Sequence, residues 1–146
     1  MRLHLSLAPA TSQLRAVRRV LEGWADAHDL APDSLLLIAT ELLANSMVVC
    51  PPDAQIELVA DLHGEEVSVT VTDCGEAAFE PGELVPPSVQ SVRGRGLHIV
   101  QSLSNRLTIE RVEDRTVITA YQYRRMLHTL HQGRNAGQAG SEHPSR

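Results

Sequence analysis

Residues 35–50 read "LLLIATELLANSMVVC", a run in which only Thr40, Glu41, Asn45 and Ser46 are polar. A helix that is apolar nearly all round is one that the fold buries, rather than one that floats on its surface. Residues four apart share a helical face, so Glu41 and Asn45 point the same way, flanked by Leu37, Ile38 and Val48. A carboxylate is almost never buried without a partner, because stripping its water is expensive. The pair therefore needs a cleft with water, a cation, or an arginine salt bridge, with Asn45 then tying down a loop. Upstream, "LAPDS" supplies a helix start, with Pro32 near the first turn and Asp33 placed to favour the positive end of the dipole. Pro51-Pro52 ends the helix. The run is too short to span a bilayer and carries Glu41 and Asn45 near its middle, so no membrane partner is expected.

The flanks alternate. "LHLSLAP" reads as a short first strand closed by proline. Thr11 or Ser12 can then cap a helix running to about His28, with Leu14, Val17, Val20, Leu21 and Trp24 on one face. After the central helix, "AQIELVADLH" and "EVSVTVTD" have apolar residues on alternate positions (Ile56, Leu58; Val67, Val69, Val71), which predicts a hairpin turning at His63-Gly64-Glu65. From Gly75 to Arg93 the pattern stops, and Pro81, Gly82, Pro86 and Pro87 mark a long lid-like or binding loop. "GRGLHIVQSL" opens a further helix behind two glycines. "RLTIERVED" and "RTVITAYQY" make a second hairpin turning near Glu113-Asp114. The tail "HQGRNAGQAGSEHPSR" is small and polar and reads as disordered.

The order β-α-α-β-β-loop-α-β-β predicts an α+β, two-layer sandwich: a mixed, mostly antiparallel sheet with its helices on one face. A chain of 146 residues suits one domain, placed here at residues 1–123 with an extension at 124–146. The formal net charge of −5 gives no basic surplus for neutralising phosphates, which argues against a direct nucleic-acid binder. Cys50 and Cys74 lack metal-site spacing. Together with the lack of a signal-like apolar stretch at the N-terminus, they read as free thiols of a cytoplasmic protein.

Two further motifs carry chemistry. Asp73 ends a strand beside Gly75, where a carboxylate can accept a hydrogen bond from a ligand's amino group or can simply open a turn. In "VRGRGLHIV", two glycines at a helix start let backbone amides and the helix dipole meet an anion. The context of a dinucleotide-binding β-α-β unit is absent, since the glycines follow a loop and no G-x-G-x-x-G is complete.

Taken in order, a helix with E-x-x-x-N, a strand ending D-x-G, a long loop and G-x-G-L at a helix start resemble the N, G1 and G2 boxes of the histidine-kinase-like ATPases (GHKL, Bergerat ATP-binding fold). Within that group the chain looks like the bacterial anti-sigma factor serine/threonine kinases, over about residues 1 to 123. The resemblance implies ATP and Mg²⁺ as cofactors. It implies Glu41 as the catalytic general base and Asn45 as the Mg²⁺ ligand. Asp73 would read the adenine amino group, Gly75 would leave room for the ring, and Gly94, Arg95, Gly96 and Leu97 would form the turn whose amides hold phosphate. Thr116 would place a hydroxyl near the adenine. A sigma factor and an anti-anti-sigma (STAS-type) protein are the implied partners, and related kinases are often dimers, so a homodimer is an expectation. The main alternative is a non-enzymatic regulatory module whose ATP site has decayed. Its motives are the acidic lid residues Glu76, Glu80 and Glu83 facing a single Arg93, and the thin box "DCGEA". A small ATPase or sensor-kinase fragment would want an upstream helix with a phosphoacceptor histidine, which the sequence does not show.

Overall fold

The computed structural model describes residues 1–74 and 92–124, with the backbone course alone for 92–95. The lid segment with Gly75, and the tail from 125 onward, lie outside the described residues. Strand β1 (Arg2–Leu7) leads through a 3-10 turn (Thr11–Gln13) into helices α1 (Leu14–Ala27) and α2 (Asp33–Val49). Strands β2 (Ile56–His63) and β3 (Glu66–Asp73) follow, then helix α3 (Val92–Leu103) and strands β4 (Arg106–Val112) and β5 (Arg115–Tyr123). The expected α+β sandwich forms, and its one five-stranded sheet, in the order β1-β2-β3-β5-β4, is antiparallel at every described pairing.

Alternation in the sequence becomes a row of side chains across all five strands. Leu5 stands opposite Leu58, Leu58 opposite Val71, Val71 opposite Ile118, and Ile118 opposite Ile109. A one-residue slip in any strand would turn its members of this row to the other face, so the pattern fixes the register. These residues join Leu21 of α1, Leu35, Ile38, Leu42 and Leu43 of α2, and Val100 of α3 in one core. Helix α2 is the hub of the helical layer, touching α1, α3, β2 and β3. Its sequence, apolar on nearly every side, meets that many neighbours.

The turns follow from local chemistry. Gly64 takes φ +58 between His63 and Glu66, the left-handed conformation that a two-residue hairpin turn asks of its first central residue. Helix α1 ends in a Schellman arrangement: the Leu30 N–H donates to the Ala25 carbonyl at 2.9 Å and the Asp29 N–H to that of Asp26 at 3.2 Å. Asp29 sits at φ 55, where a Cβ is strained. Asp29→Gly is therefore expected to stabilise the fold by about 0.5–1 kcal/mol, read as a raised urea midpoint at unchanged slope. An unchanged or lowered midpoint would show that the aspartate side chain offsets the strain.

Two local expectations are corrected. Neither Thr11 nor Ser12 caps α1 with its hydroxyl; Gln13 is the N-cap, and no side-chain cap bond forms there. The reason is Ala10, whose extended backbone lets its carbonyl accept from the Gln13 N–H at 3.0 Å, so a 3-10 turn closes first. Val20 does not share the buried face of α1. It is 43% exposed, and the buried stripe is the narrower set Val17, Leu21 and Ala25.

On the face opposite the helices, Arg2 donates from Nε and Nη2 to Asp61 Oδ2 at 3.1 and 2.8 Å. The hydrogen bond and charge of Arg2 hold the Asp61 carboxyl below the usual carboxylate range, against an opposing push from desolvation. A depressed folded-state value means the stabilisation is full above the unfolded carboxyl's value, about 3.9, and is lost as pH falls through the folded one. Arg2→Ala should lower Tm at pH 7, and the gap to wild type should narrow and close as pH falls through the depressed value of the Asp61 carboxyl. A gap that persists in acid would assign the effect to packing of the arginine stem.

Candidate functional site

Helix α2 carries two polar clusters on different sides of one rod. On the side toward α3, Glu41 and Asn45 lie on a partly open stripe bounded by Leu37 and Val48, which are 43% and 70% exposed. Helix α3 meets this stripe at Gly96. A Cβ there would stand 2.8 Å from Glu41 Oε2 and 3.3 and 3.4 Å from Asn45 Nδ2 and Oδ1. Only glycine lets the helices approach this closely without displacing the carboxylate. Asn45 Nδ2 is buried and has no hydrogen-bond partner among the described residues. Such an orphan donor costs about 1–3 kcal/mol, which is the signature of a group kept for something else. None of the ion pairs among the described residues involves Glu41.

On the side toward the sheet, Ser46 Oγ donates to Asp73 Oδ2 at 2.5 Å, and both side chains are buried. Asp73 is the last residue of β3 and stands in register opposite Thr116 of β5, which is also buried. Asp73 is thus a strand-end carboxylate fixed against α2. Sequence reasoning missed Ser46. Its signal was available: a serine inside an apolar run, one step round the helix from Asn45, must bring its hydroxyl to a buried acceptor.

The expected glycine turn is placed differently. Helix α3 begins at Val92 and so takes in Gly94, Arg95, Gly96 and Leu97, rather than opening behind the glycines. The amide of Gly94 falls among the first four, which have no partner within the helix, whereas those of Arg95, Gly96 and Leu97 enter its own ladder. Gly96 and Leu97 are buried, so their contribution is close packing on α2. Gly75 lies outside the described residues, as does the side chain of Arg95. The sequence-derived residues that the fold brings together are therefore Glu41, Asn45 and Gly96 in one cluster, and Asp73 and Thr116 in the other. Asn45 and Ser46, adjacent on α2, join the two. His98 is exposed on α3, away from this set of contacts. Among the described residues no group of His, Cys, Asp and Glu could by itself hold a metal ion, and no helix is long and apolar enough to cross a membrane.

A helix-backed antiparallel sheet with an acid-and-amide stripe on its central helix and a buried aspartate at a neighbouring strand end defines a two-layer sandwich of the Bergerat ATP-binding type. The chain belongs to the histidine kinase-like ATPase domain family, whose model matches residues 7–121. No curated protein matches the sequence significantly. Among solved structures, the RsbU and RsbW domains of Rv1364c from Mycobacterium tuberculosis are similar at 18% identity and a TM-score of 0.64, over 84% of this chain and 32% of that one. The catalytic domain of histidine kinase ThkA is similar at 13% identity and a TM-score of 0.56, over 84% of this chain and 97% of that one. The histidine kinase domain of a blue-light-activated histidine kinase from Erythrobacter litoralis is similar at 22% identity and a TM-score of 0.50, over 66% and 46% respectively. The chain spans about a third of the Mycobacterium structure, and at these identities the likeness establishes the fold. Membership of this ATPase family implies ATP binding.

Proposed function

We propose that residues 1–123 form a Mg·ATP-dependent protein serine/threonine kinase that also sequesters a sigma factor, its phosphoacceptor being an anti-anti-sigma (STAS-type) protein. The observation that carries this reading is the Glu41–Asn45 pair against Gly96, with Asn45 Nδ2 left without a hydrogen-bond partner among the described residues. A hard divalent cation takes few protein oxygens and keeps water and phosphate for the rest, and one carboxamide oxygen at Asn45 suits that demand. Bound Mg²⁺ would supply charge neutralisation at the nucleotide's phosphates. The remaining work falls to the chain. Asp73, fixed by Ser46 through Oδ2, accepts the adenine amino group; Thr116 offers a hydroxyl opposite it. The amide of Gly94, at the positive end of α3, faces phosphate. Glu41 takes or orients the proton of the attacking serine hydroxyl, since phosphoryl transfer asks mainly for positioning and charge neutralisation. The sigma-factor partner rests on the resemblance of the motifs to anti-sigma kinases and on the structural likeness to a protein with an RsbW domain.

The test is transfer of labelled γ-phosphate from ATP to a STAS-type protein, with Mg²⁺ and with a chelator. Phosphoserine or phosphothreonine formed only with Mg²⁺ is expected; no ATP binding at all would sink the kinase reading. A second reading, a regulatory module without transfer, draws on the enclosure of Gly96 and Leu97 within α3. It predicts sigma-factor regulation unchanged in Glu41→Ala, and a regulatory defect there would exclude it.

Gly96→Ala separates site from fold. Alanine gains about 1 kcal/mol of helix propensity over glycine, which offsets the clash with the end of a flexible glutamate. Stability should change by less than about 1 kcal/mol, while transfer falls at least tenfold because Glu41 is pushed aside. Equal losses of both would mean that Gly96 serves packing alone.

A further inference from the structure

The two cysteines, 24 residues apart in sequence, are neighbours in the fold. Cys50 is the C-cap of α2, and its N–H donates to the Ser46 carbonyl at 3.0 Å. Ser46 in turn holds Asp73 at 2.5 Å, and Cys74 is the next residue along the chain. Cys50 lies one helical turn after the serine and Cys74 one residue after the aspartate, so the Ser46–Asp73 bond brings the two cysteines to one end of α2, close enough for Cys74 to act on the Cys50 thiol. Both thiols are free, Cys74 exposed and Cys50 partly buried. We propose that Cys50 and Cys74 are a reversible disulfide pair, closed by a small-molecule disulfide, that loosens the hold of Asp73 on nucleotide. The second clause rests on the assignment of Asp73 to adenine under the proposed function.

The chemistry is thiol–disulfide exchange in two balanced steps. The exposed Cys74 thiolate attacks the oxidant RSSR, forming a mixed disulfide and releasing one RS⁻. Cys50, deprotonated, then attacks the Cys74 sulfur, forming the Cys50–Cys74 bond and releasing the second RS⁻. The oxidant is reduced to two thiols, and the two cysteines are oxidised. Burial pushes the Cys50 thiol up, as does the charge of Asp73, with the Cys74 backbone hydrogen bond pulling the other way. Cys50 is therefore the slower, resolving partner. The rate of the second step should rise with pH through neutrality and beyond, as its thiolate fraction grows. Closure brings the sulfurs to about 2 Å. That shift is taken up by the backbone of Cys74 and the last turn of α2, the two elements that set the Ser46–Asp73 bond.

The experiment treats the full chain with oxidised glutathione and follows free thiols, adducts by mass spectrometry, and ATP affinity by calorimetry. Wild type should lose both thiols without a retained glutathione and without dimerising. Its ATP affinity should fall at least tenfold and recover with dithiothreitol. Cys50→Ser should stop at a glutathione adduct on Cys74, and Cys74→Ser should resist oxidation. A persistent adduct in wild type, or two thiols still titratable, would overturn the pair. Closure with unchanged affinity would overturn its regulatory effect. Reduced protein that binds no ATP would refute the assignment of Asp73 to adenine, and with it the regulatory clause, while the thiol counts still judge the pair.

Discussion

Asp73→Asn is expected to weaken ATP binding by roughly 30- to 150-fold, the equivalent of losing about 2–3 kcal/mol of one charge-assisted hydrogen bond. The aspartate has two acceptor oxygens, and Ser46 Oγ already occupies Oδ2 at 2.5 Å. An asparagine has a single acceptor, so it serves either the serine or the purine amino group, and its own NH₂ meets the purine's donor unfavourably. The substitution keeps shape, so the melting temperature should move little. Asp73→Ala is less informative, because it leaves the buried Ser46 hydroxyl without this acceptor and costs stability as well. Binding undiminished in Asp73→Asn, at retained stability, would remove Asp73 as the adenine reader.

The second large effect is expected on rate rather than affinity. Glu41→Gln should lower phosphate transfer by roughly 10²- to 10⁴-fold, the range of a positioned general base, with ATP affinity changed less than about threefold. The glutamine fills the same space beside Gly96, where Glu41 Oε2 lies within 2.8 Å of a would-be Cβ, so the helix contact survives. Loss of rate and affinity together would instead make Glu41 part of nucleotide binding. Transfer at the wild-type rate would show that the hydroxyl's proton leaves by another route.

Much of this arrangement was legible in the sequence because it obeys local periodicity. The row Leu5, Leu58, Val71, Ile118, Ile109 follows from period-two alternation, and the burial of α2 from its apolar circumference. The Glu41–Asn45 stripe was readable for a different reason: a charge inside an oily helix needs a cause. The missed features are tertiary or hang on backbone torsions. Nothing local says that the Ser46 hydroxyl reaches Asp73, a residue 27 positions on, or that this bond brings Cys50 and Cys74 near each other. The 3-10 turn at Thr11–Gln13 depends on the extended backbone of Ala10, to which side-chain propensity is blind. The glycines of "VRGRGL" suggested a turn, but α3 runs straight through them. At Gly96 the missing side chain makes room for a neighbouring helix rather than for a bend, and sequence alone does not distinguish these uses.

Calorimetric titration of the reduced 146-residue chain with ATP, with and without Mg²⁺ and alongside Asp73→Asn, addresses the nucleotide pocket most directly. The arrangement of Glu41, Asn45, Ser46 and Asp73 predicts one saturable site per chain, tightened by Mg²⁺ and severely weakened in the variant. Absence of saturable binding by folded wild type, or equal binding by wild type and Asp73→Asn, would contradict it.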